Sequence, residues 1–291
     1  MFGPNVKSDV RENIYYHHRE EKFHNILQRI DTLFHHIFGL DDYNILVING
    51  SGTTANETVL YSCKFTFSCK FTEEEFGMRL QRLSKAHGDK KQHPTKSCVA
   101  YPLYETSISR YNQSRCSRDT FVFLDMVSAF PYYMPPKGTA IWTTVSGKQL
   151  GAFPVLGIIG IRKDIDLHEF FITPNRSCLC LREHINFKYK SETLTTAALP
   201  LYYDLEQRLN IFNLQEYNLK INRRRKAIVD IAGEYVIGEG PVILFNQNTW
   251  IDNLAKRFNL YHSKVGYQIF LWSGSDEEYD CFCKVLKGYV K

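Results

Sequence analysis

Three short stretches of this 291-residue sequence bring together residue types that chemistry needs. In YNILVINGSGTTANETVLYS, Tyr43 to Ser62, an apolar run ends in Gly50, Ser51, Gly52 and Thr53. Small residues expose backbone N–H groups, Ser51 and Thr53 add hydroxyls, and a helix starting there turns its positive end toward an anion such as phosphate. The helix end contributes only about 0.3–1 kcal/mol to a surface anion, so amides and hydroxyls must do most of the holding. In FVFLDMVSAF, Asp125 directly follows an apolar run, at the kind of strand end where open α/β sheets form ligand crevices. In TTVSGKQLGAFPVLGIIGIRK, Lys148 stands between a strand and a glycine-rich turn. Partial desolvation there lowers a lysine's pKa and frees its amine as a nucleophile toward an aldehyde.

Each stretch also has a plainer reading. The glycine turn could be a bend with a Ser or Thr cap, Asp125 an end-of-strand cap, and Lys148 a surface lysine. There is no GxxxxGK[ST] and no GxGxxG, which argues against a P-loop nucleotidase and a dinucleotide fold. Taken together, a carboxylate and a lysine at two strand ends and a phosphate cradle at a third are what pyridoxal 5'-phosphate (PLP) requires.

The surrounding pattern supplies elements to position these residues. Apolar spacing predicts an amphipathic helix between Glu12 and Gly39, then a buried strand at Ile45–Ile48 and a helix over Thr54–Leu60. Further strands are expected at Lys64–Ser68, Ser97–Tyr101, Thr120–Leu124, Ala140–Thr144 and Leu156–Ile161. A helix is expected over Glu73–Leu83, followed by a polar loop from Lys85 to Thr95. Alternating strands and helices imply an α/β domain with a mainly parallel sheet. Beyond Pro174, two long helices are expected, Ser191–Phe212 and Leu214–Ile231, while Cys178 and Cys180 read as strand. The end has β-α-β-α order: Pro241–Phe245, Trp250–Phe258, Gln268–Trp272 and Glu277–Val290. The expected division is a large cofactor-binding domain over 1–210, with an amino-terminal segment 1–20, and a small α+β domain over 211–291.

Composition excludes several classes. The chain is long enough for a substantial core, 44% of its residues are hydrophobic, and no apolar run reaches the roughly 18–20 residues of a membrane span. Met1 to Asn5 do not open a secretory signal, so a cytoplasmic protein is expected. A net charge of +5 is modest, and the run Arg223-Arg224-Arg225-Lys226 reads as a solvated helix face rather than a nucleic-acid patch. The eight cysteines form no CxxC pair and no zinc spacing, so buried free thiols in a reducing compartment are expected, with no metal site.

With these motifs in hand, the sequence resembles the class V aminotransferases, fold type I PLP enzymes. It is most similar to their 2-aminoethylphosphonate:pyruvate and alanine or serine:glyoxylate branch. The resemblance runs through Gly3-Pro4, His17-His18-Arg19 with Phe23, the glycine turn, FGMR at Phe76–Arg79, YET at Tyr104–Thr106, LDMVSAF and SGKQLGAFP. It extends in order and rough spacing over nearly the whole chain, which is shorter than typical members. It implies that Lys148 forms the internal aldimine and carries the proton between Cα and the cofactor. Asp125 would pair with the protonated pyridine nitrogen, and Ser51, Gly52 and Thr53 would hold the phosphate. Phe76 would stack on the ring, Val127 would pack under it, and Thr106 would sit near the phenolic oxygen. Thr193 would reach the phosphate of a neighbouring subunit, since family members are homodimers with shared active sites.

Two departures stand out. The arginine that grips the substrate carboxylate in the family is missing from YQIFLWSGS, where Phe270, Leu271 and Trp272 stand, and Gly147 offers the phosphate no side chain. The expected activity is ping-pong transamination between an amine or amino-acid donor and a keto or aldehyde acceptor, with an unusual substrate. A PLP-dependent lyase or decarboxylase on the same scaffold, or a non-catalytic homologue, is the alternative.

Overall fold

The computed structural model describes residues 17–88, 97–114, 120–246 and 249–290. Along the first part of the chain run β1 (Tyr43–Asn49), β2 (Ser68–Cys69), β3 (Cys98–Pro102), the hairpin β4 (Tyr104–Glu105) and β5 (Arg110–Tyr111), β6 (Phe121–Asp125), β7 (Ile141–Val145) and β8 (Leu156–Arg162). Six of these form one sheet in the order β1-β8-β7-β6-β3-β2. Its β2–β3, β3–β6 and β6–β7 pairs are parallel, and β8 runs antiparallel to both of its neighbours, β1 and β7. Consequently β1, β6 and β7 all point the same way, and Asn49, Asp125 and Val145 end them at one edge of the sheet. Every residue of β3, β6 and β7 is buried, as expected of strands covered on both faces.

Helices α1 (Glu21–Phe38) and α6 (Leu199–Asn210) cover one face, α2 (Gly52–Ser62), α3 (Glu75–Ala86) and α5 (Leu181–Lys188) the other, while α4 is the short turn Leu167–Phe170. Phe23, Ile26, Ile30, Phe34 and Phe38 put a stripe of α1 into the core. Each such side chain contributes at most about 1.5–3 kcal/mol of apolar burial. Gly39 ends α1, as its position after the periodic run predicts. The expected helical residues Glu12–Tyr16, with Gly3 and Pro4, lie outside the described residues, as does most of the expected loop Lys85–Thr95.

The carboxyl-terminal part is a second sheet, β11-β12-β10-β9, built from β9 (Val236–Ile237), β10 (Val242–Asn246), β11 (Tyr261–His262) and β12 (Gly266–Phe270). Helices α7 (Leu214–Ala232), α8 (Thr249–Phe258) and α9 (Asp276–Tyr289) pack on it around Ile228, Ile243, Leu254, Ile269 and Phe282. The β-α-β-α order of the sequence reading is present.

Four expectations need correction. The helix expected over Ser191–Phe212 begins only at Leu199, because Pro200 suits a first helical turn but cannot donate within one, and Ser191 takes a φ of +54°. The strand expected over Lys64–Ser68 shrinks to Ser68–Cys69, since Cys63 pairs with Phe171 and the Lys64 amide donates to Phe170 O. Cys178 and Cys180 are not in a strand: Cys180 precedes the first residue of α5, and Cys178 O is bonded to His184 Nε2 at 2.7 Å. The basic run is not simply a solvated face. Arg224 is buried, donates to the carbonyls of Leu271, Ser273 and Gly274 and to Asp276, and lies 3.9 Å over the Tyr279 ring. Arg225 reaches the carbonyls of Gly240 and Val242, and Lys226 pairs with Asp230 on the surface. A buried guanidinium is tolerated because all of its donors can find acceptors.

Candidate active site

The shared direction of β1, β6 and β7 places three segments around one cleft of about 200 Å³. Ser51, Gly52, Thr53, Phe76, Asp125, Val127 and Lys148 all line it, together with Asn56, Arg79, Tyr104 and Ser128.

At the end of β1 the chain turns directly into α2. Ser51 is its N-cap: Ser51 Oγ accepts from the Thr54 amide at 3.2 Å, and Thr54 Oγ1 accepts from the Ser51 amide at 3.1 Å. The capped-turn reading is therefore realised, and it leaves the cradle intact. Gly52 and Thr53 are the first residues of α2, so their N–H groups have no intrahelical acceptor and face the cleft mouth with the positive helix end. Gly52 is required by close approach, since a Cβ there would overlap Val127 Cγ2.

Asp125 ends β6 and is 8% exposed. Its Oδ1 accepts from the Val127 amide at 3.0 Å and its Oδ2 from Asn56 Nδ2 at 2.7 Å. Burial pushes its carboxyl up, while the Val127 N–H, Asn56, Lys148 and Arg79 pull it down. A carboxylate held by donors in a shaped cleft is suited to pair with a cation that enters with a ligand.

Lys148 opens a single 3-10 turn, Lys148–Leu150, after β7. Its φ of +45° is a left-handed conformation that costs a non-glycine residue about 1–2 kcal/mol. The next residue holds it there: the Gln149 amide group donates from Nε2 to Ser128 O at 2.5 Å and accepts at Oε1 from Tyr217 Oη at 2.8 Å and from the Tyr132 amide at 3.2 Å. Lys148 Nζ donates to Ser128 Oγ at 2.7 Å and lies 5.4 Å from the Phe76 ring centre. Burial lowers its pKa from 10.5 to about 8, partly opposed by Asp125. Gly147, read in the sequence as a lost phosphate ligand, has a packing reason: a Cβ there would overlap Pro154.

Phe76 is positioned through a residue the sequence reading did not single out. Glu105 is fully buried, and its Oε2 accepts from the amides of Phe76 at 3.2 Å and Gly77 at 3.3 Å, near the start of α3. Ser107 Oγ donates to its other oxygen at 2.5 Å.

One residue expected in the chain's own site, Thr106, does not line the cleft, and Thr193 was expected to serve a neighbouring subunit rather than this cleft. Thr106 is buried, with its carbonyl accepting from Gln268 Nε2 at 2.6 Å. Thr193 lines a separate groove between α1, β1 and α5, and its hydroxyl donates to Thr195 O at 2.8 Å. Its neighbours come closer to the cradle: Asn49, at the end of β1, donates to Thr195 Oγ1 at 3.1 Å and to Thr196 O at 2.6 Å. Asn56, Ser128 and Glu105 were missed in the sequence. Asn56 had a signal, since it stands four residues after Gly52 on the same helix face. Phe270, Leu271 and Trp272 contribute nothing to the cleft lining, and the arginine that does reach that segment, Arg224, is committed to its carbonyls.

No family profile matches the sequence, and no curated protein matches it. Solved structures do. An aspartate aminotransferase of subgroup IV from Thermus thermophilus superposes with a TM-score of 0.78 at 15% identity, covering 97% of this chain and 94% of that one. An alanine–glyoxylate aminotransferase from Nostoc sp. gives 0.76 at 14% identity, covering 100% and 94%. A PLP-bound phosphoserine aminotransferase from Trichomonas vaginalis gives 0.74 at 12% identity, covering 94% and 90%. At these identities the likeness is one of fold, and the chain has the α/β fold of the fold type I aminotransferases.

Proposed function

We propose that the protein is a PLP-dependent aminotransferase that moves an amino group from an amine or amino-acid donor to a keto or aldehyde acceptor in two alternating half reactions. The observation that carries this reading is the meeting of Lys148, Asp125 and the open amides of Gly52 and Thr53 in one cleft. The residues fit the cofactor on two structural counts. Asp125 is buried with donors that hold it but no cation bonded to it, and Gly52 and Thr53, the first residues of α2, line the cleft with amides that have no acceptor within the helix.

When bound, the cofactor supplies an electron sink for the carbon that carries the amino group. Lys148, whose Nζ is held by Ser128 Oγ, would be the amine that attaches the cofactor's aldehyde, and the same Nζ could hold the transferred proton. Asp125 would pair with the cofactor's pyridine nitrogen and favour its protonated form. Gly52, Thr53 and Ser51 receive the phosphate, and Phe76 and Val127 supply apolar walls for the ring. The reading includes a homodimer with shared active sites, which light scattering of the purified protein tests.

The function is tested by adding PLP to purified protein and following the visible absorbance band of its bound form. The band is expected with the natural chain and not with Lys148→Ala; no band with either removes the cofactor assignment. Single amine donors added without an acceptor are then expected to convert the bound cofactor to its pyridoxamine form with one equivalent of keto product. Catalytic release of carbon dioxide or another fragment, without pyridoxamine accumulation, would make the protein a lyase or decarboxylase instead.

A further inference from the structure

Lys148 and the residue after it grip the same serine. Lys148 Nζ donates to Ser128 Oγ at 2.7 Å, and Gln149 Nε2 donates to Ser128 O at 2.5 Å. Backbone bonds from Leu150 N to Gly147 O at 3.2 Å and from Ala152 N to Ser146 O at 3.0 Å close the turn on itself. A hydrogen-bonded tie to other elements comes from the Gln149 side chain, which is 3% exposed. Its Oε1 accepts from Tyr217 Oη at 2.8 Å and from the Tyr132 amide at 3.2 Å, which fills both lone pairs. A backbone amide only donates and a carbonyl only accepts, so Oε1 must face Tyr132 and Nε2 must face Ser128.

Tyr217 belongs to α7, in the carboxyl-terminal part of the chain, 68 residues from Gln149. Burial pushes its phenol well above the usual tyrosine range, with Tyr279 and Tyr132 adding to the shift, so the hydroxyl keeps its proton and remains a donor. The Phe212 ring, 5.3 Å away between centres, supports it. A continuous path therefore leads from Tyr217 Oη through Gln149 and Ser128 to Lys148 Nζ. The proposed chemistry uses the last two of these residues and gives the first two no duty.

We infer that Tyr217 is a positioning residue for Lys148, acting through Gln149, so that helix α7 of the carboxyl-terminal part sets where the reactive amine stands. This rests on the PLP reading of the cleft. Capture of the cofactor replaces its aldehyde C=O by a C=N bond to Nζ, and the oxygen leaves as water with the two hydrogens of the neutral amine. Misplacing a reacting group by about 1 Å can cost such a step about 100-fold. The phosphate cradle, Asp125 and Phe76 stand on α2, β6 and α3, outside this turn, and their hold on a ring and a phosphate does not need the amine.

The test uses two probes on the purified protein. PLP can be captured by Lys148; pyridoxamine 5'-phosphate has the same ring and phosphate with an amine in place of the aldehyde, and cannot. The growth rate of the visible PLP band and the calorimetric Kd for pyridoxamine phosphate are measured for the natural chain, Tyr217→Phe, Gln149→Leu and Asn222→Ala. Asn222 is also on α7 and accepts from Tyr132 Oη at 2.8 Å, a tie that bypasses Gln149. Capture is expected to slow about 3- to 10-fold in Tyr217→Phe, the range for one lost hydrogen bond, and about 10- to 100-fold in Gln149→Leu. Asn222→Ala is expected to capture PLP at the natural rate, and every variant to bind pyridoxamine phosphate as the natural chain does. Circular dichroism checks folding, and Tyr217→Phe, which removes one hydroxyl, decides the matter if Gln149→Leu does not fold. An unchanged capture rate in Tyr217→Phe overturns the inference. So does slower capture with an equal loss of pyridoxamine phosphate affinity, which would make the tie a support of the whole cleft, and so does equal slowing by Asn222→Ala. Failure of the natural chain to bind either probe is a different result, because it removes the cofactor reading itself.

Discussion

Asn56 holds Asp125 by its Nδ2, at 2.7 Å from Oδ2, while its own Oδ1 accepts from Thr143 Oγ1. The two bonds tie Asn56 of α2 to β6 and β7 and leave the amide one orientation, with its donor on the carboxylate. Asn56→Ala leaves a buried carboxylate oxygen without that donor, and loss of about 1–3 kcal/mol of stability is expected in urea denaturation, with weaker PLP binding. Thr143→Val removes the orienting bond and a long contact to Leu124 O at 3.5 Å but leaves the Asp125 donor in place, and is expected to cost less. Equal effects of the two would mean that Asn56 acts through packing alone.

Gly52 and Val127 leave no room for an added methyl between them, because a Cβ on Gly52 meets Val127 Cγ2. Gly52→Ala is expected to weaken PLP binding and cost about 1–3 kcal/mol of stability. Val127→Ala in the same chain opens space for the added methyl, so the double variant is expected to regain part of both losses. Strictly additive losses in the denaturation cycle would show that Val127 is not the obstacle.

Ser51 has a structural duty besides any contact to a ligand. As the N-cap of α2 it is expected to cost about 1 kcal/mol of stability when changed to alanine, whereas Thr53→Ala should cost PLP affinity with little stability. Thermal denaturation of the ligand-free single variants separates the two; equal stability of both would contradict the cap.

Lys148 links the site to pH. Its folded pKa is lowered from 10.5 to about 8, so at pH 7 about one amine in ten is neutral, against well under one in a thousand for an ordinary lysine. The rate of PLP capture is expected to rise with pH and level off above about 8; a rise continuing to about 10 would show an unshifted amine. The stability term has the same direction. Between about 8 and 10.5 the unfolded chain binds more protons at this residue than the folded one, so its contribution makes stability rise with pH across that window.

Glu105 positions α3 rather than touching the cleft. Glu105→Ala leaves the amides of Phe76 and Gly77 without their acceptor and is expected to destabilise the chain by about 1–3 kcal/mol. It should also change the induced circular dichroism of bound PLP, which reports the ring's surroundings. A variant with lower stability and an unaltered signal would detach Glu105 from Phe76.

The order of elements was legible because its signals are local. Apolar β-branched runs ending in Gly50, Asp125 and Ser146 mark strands, and Gly39 marks a helix end, without reference to distant residues. Where a distant partner decides, the local signal misled: the Phe171 pairing with Cys63 cut short the expected Lys64–Ser68 strand, and carbonyls around Leu271 and Ser273 drew Arg224 out of solvent.

The sequence by itself determined the glycine turn, the strand ends that carry Asp125 and Lys148, and the candidate chemistry of a phosphate cradle with a carboxylate and an amine. Residue type and spacing suffice for that, because backbone exposure, strand ending and side-chain acidity are properties of a few consecutive residues. Only the tertiary structure decided that the three segments share one edge, through the parallel directions of β1, β6 and β7. It also decided that Asn56 and Ser128 complete the site and that Arg79 lines the cleft. These are contacts between residues tens of positions apart, and their energies depend on burial and distance that no local pattern encodes.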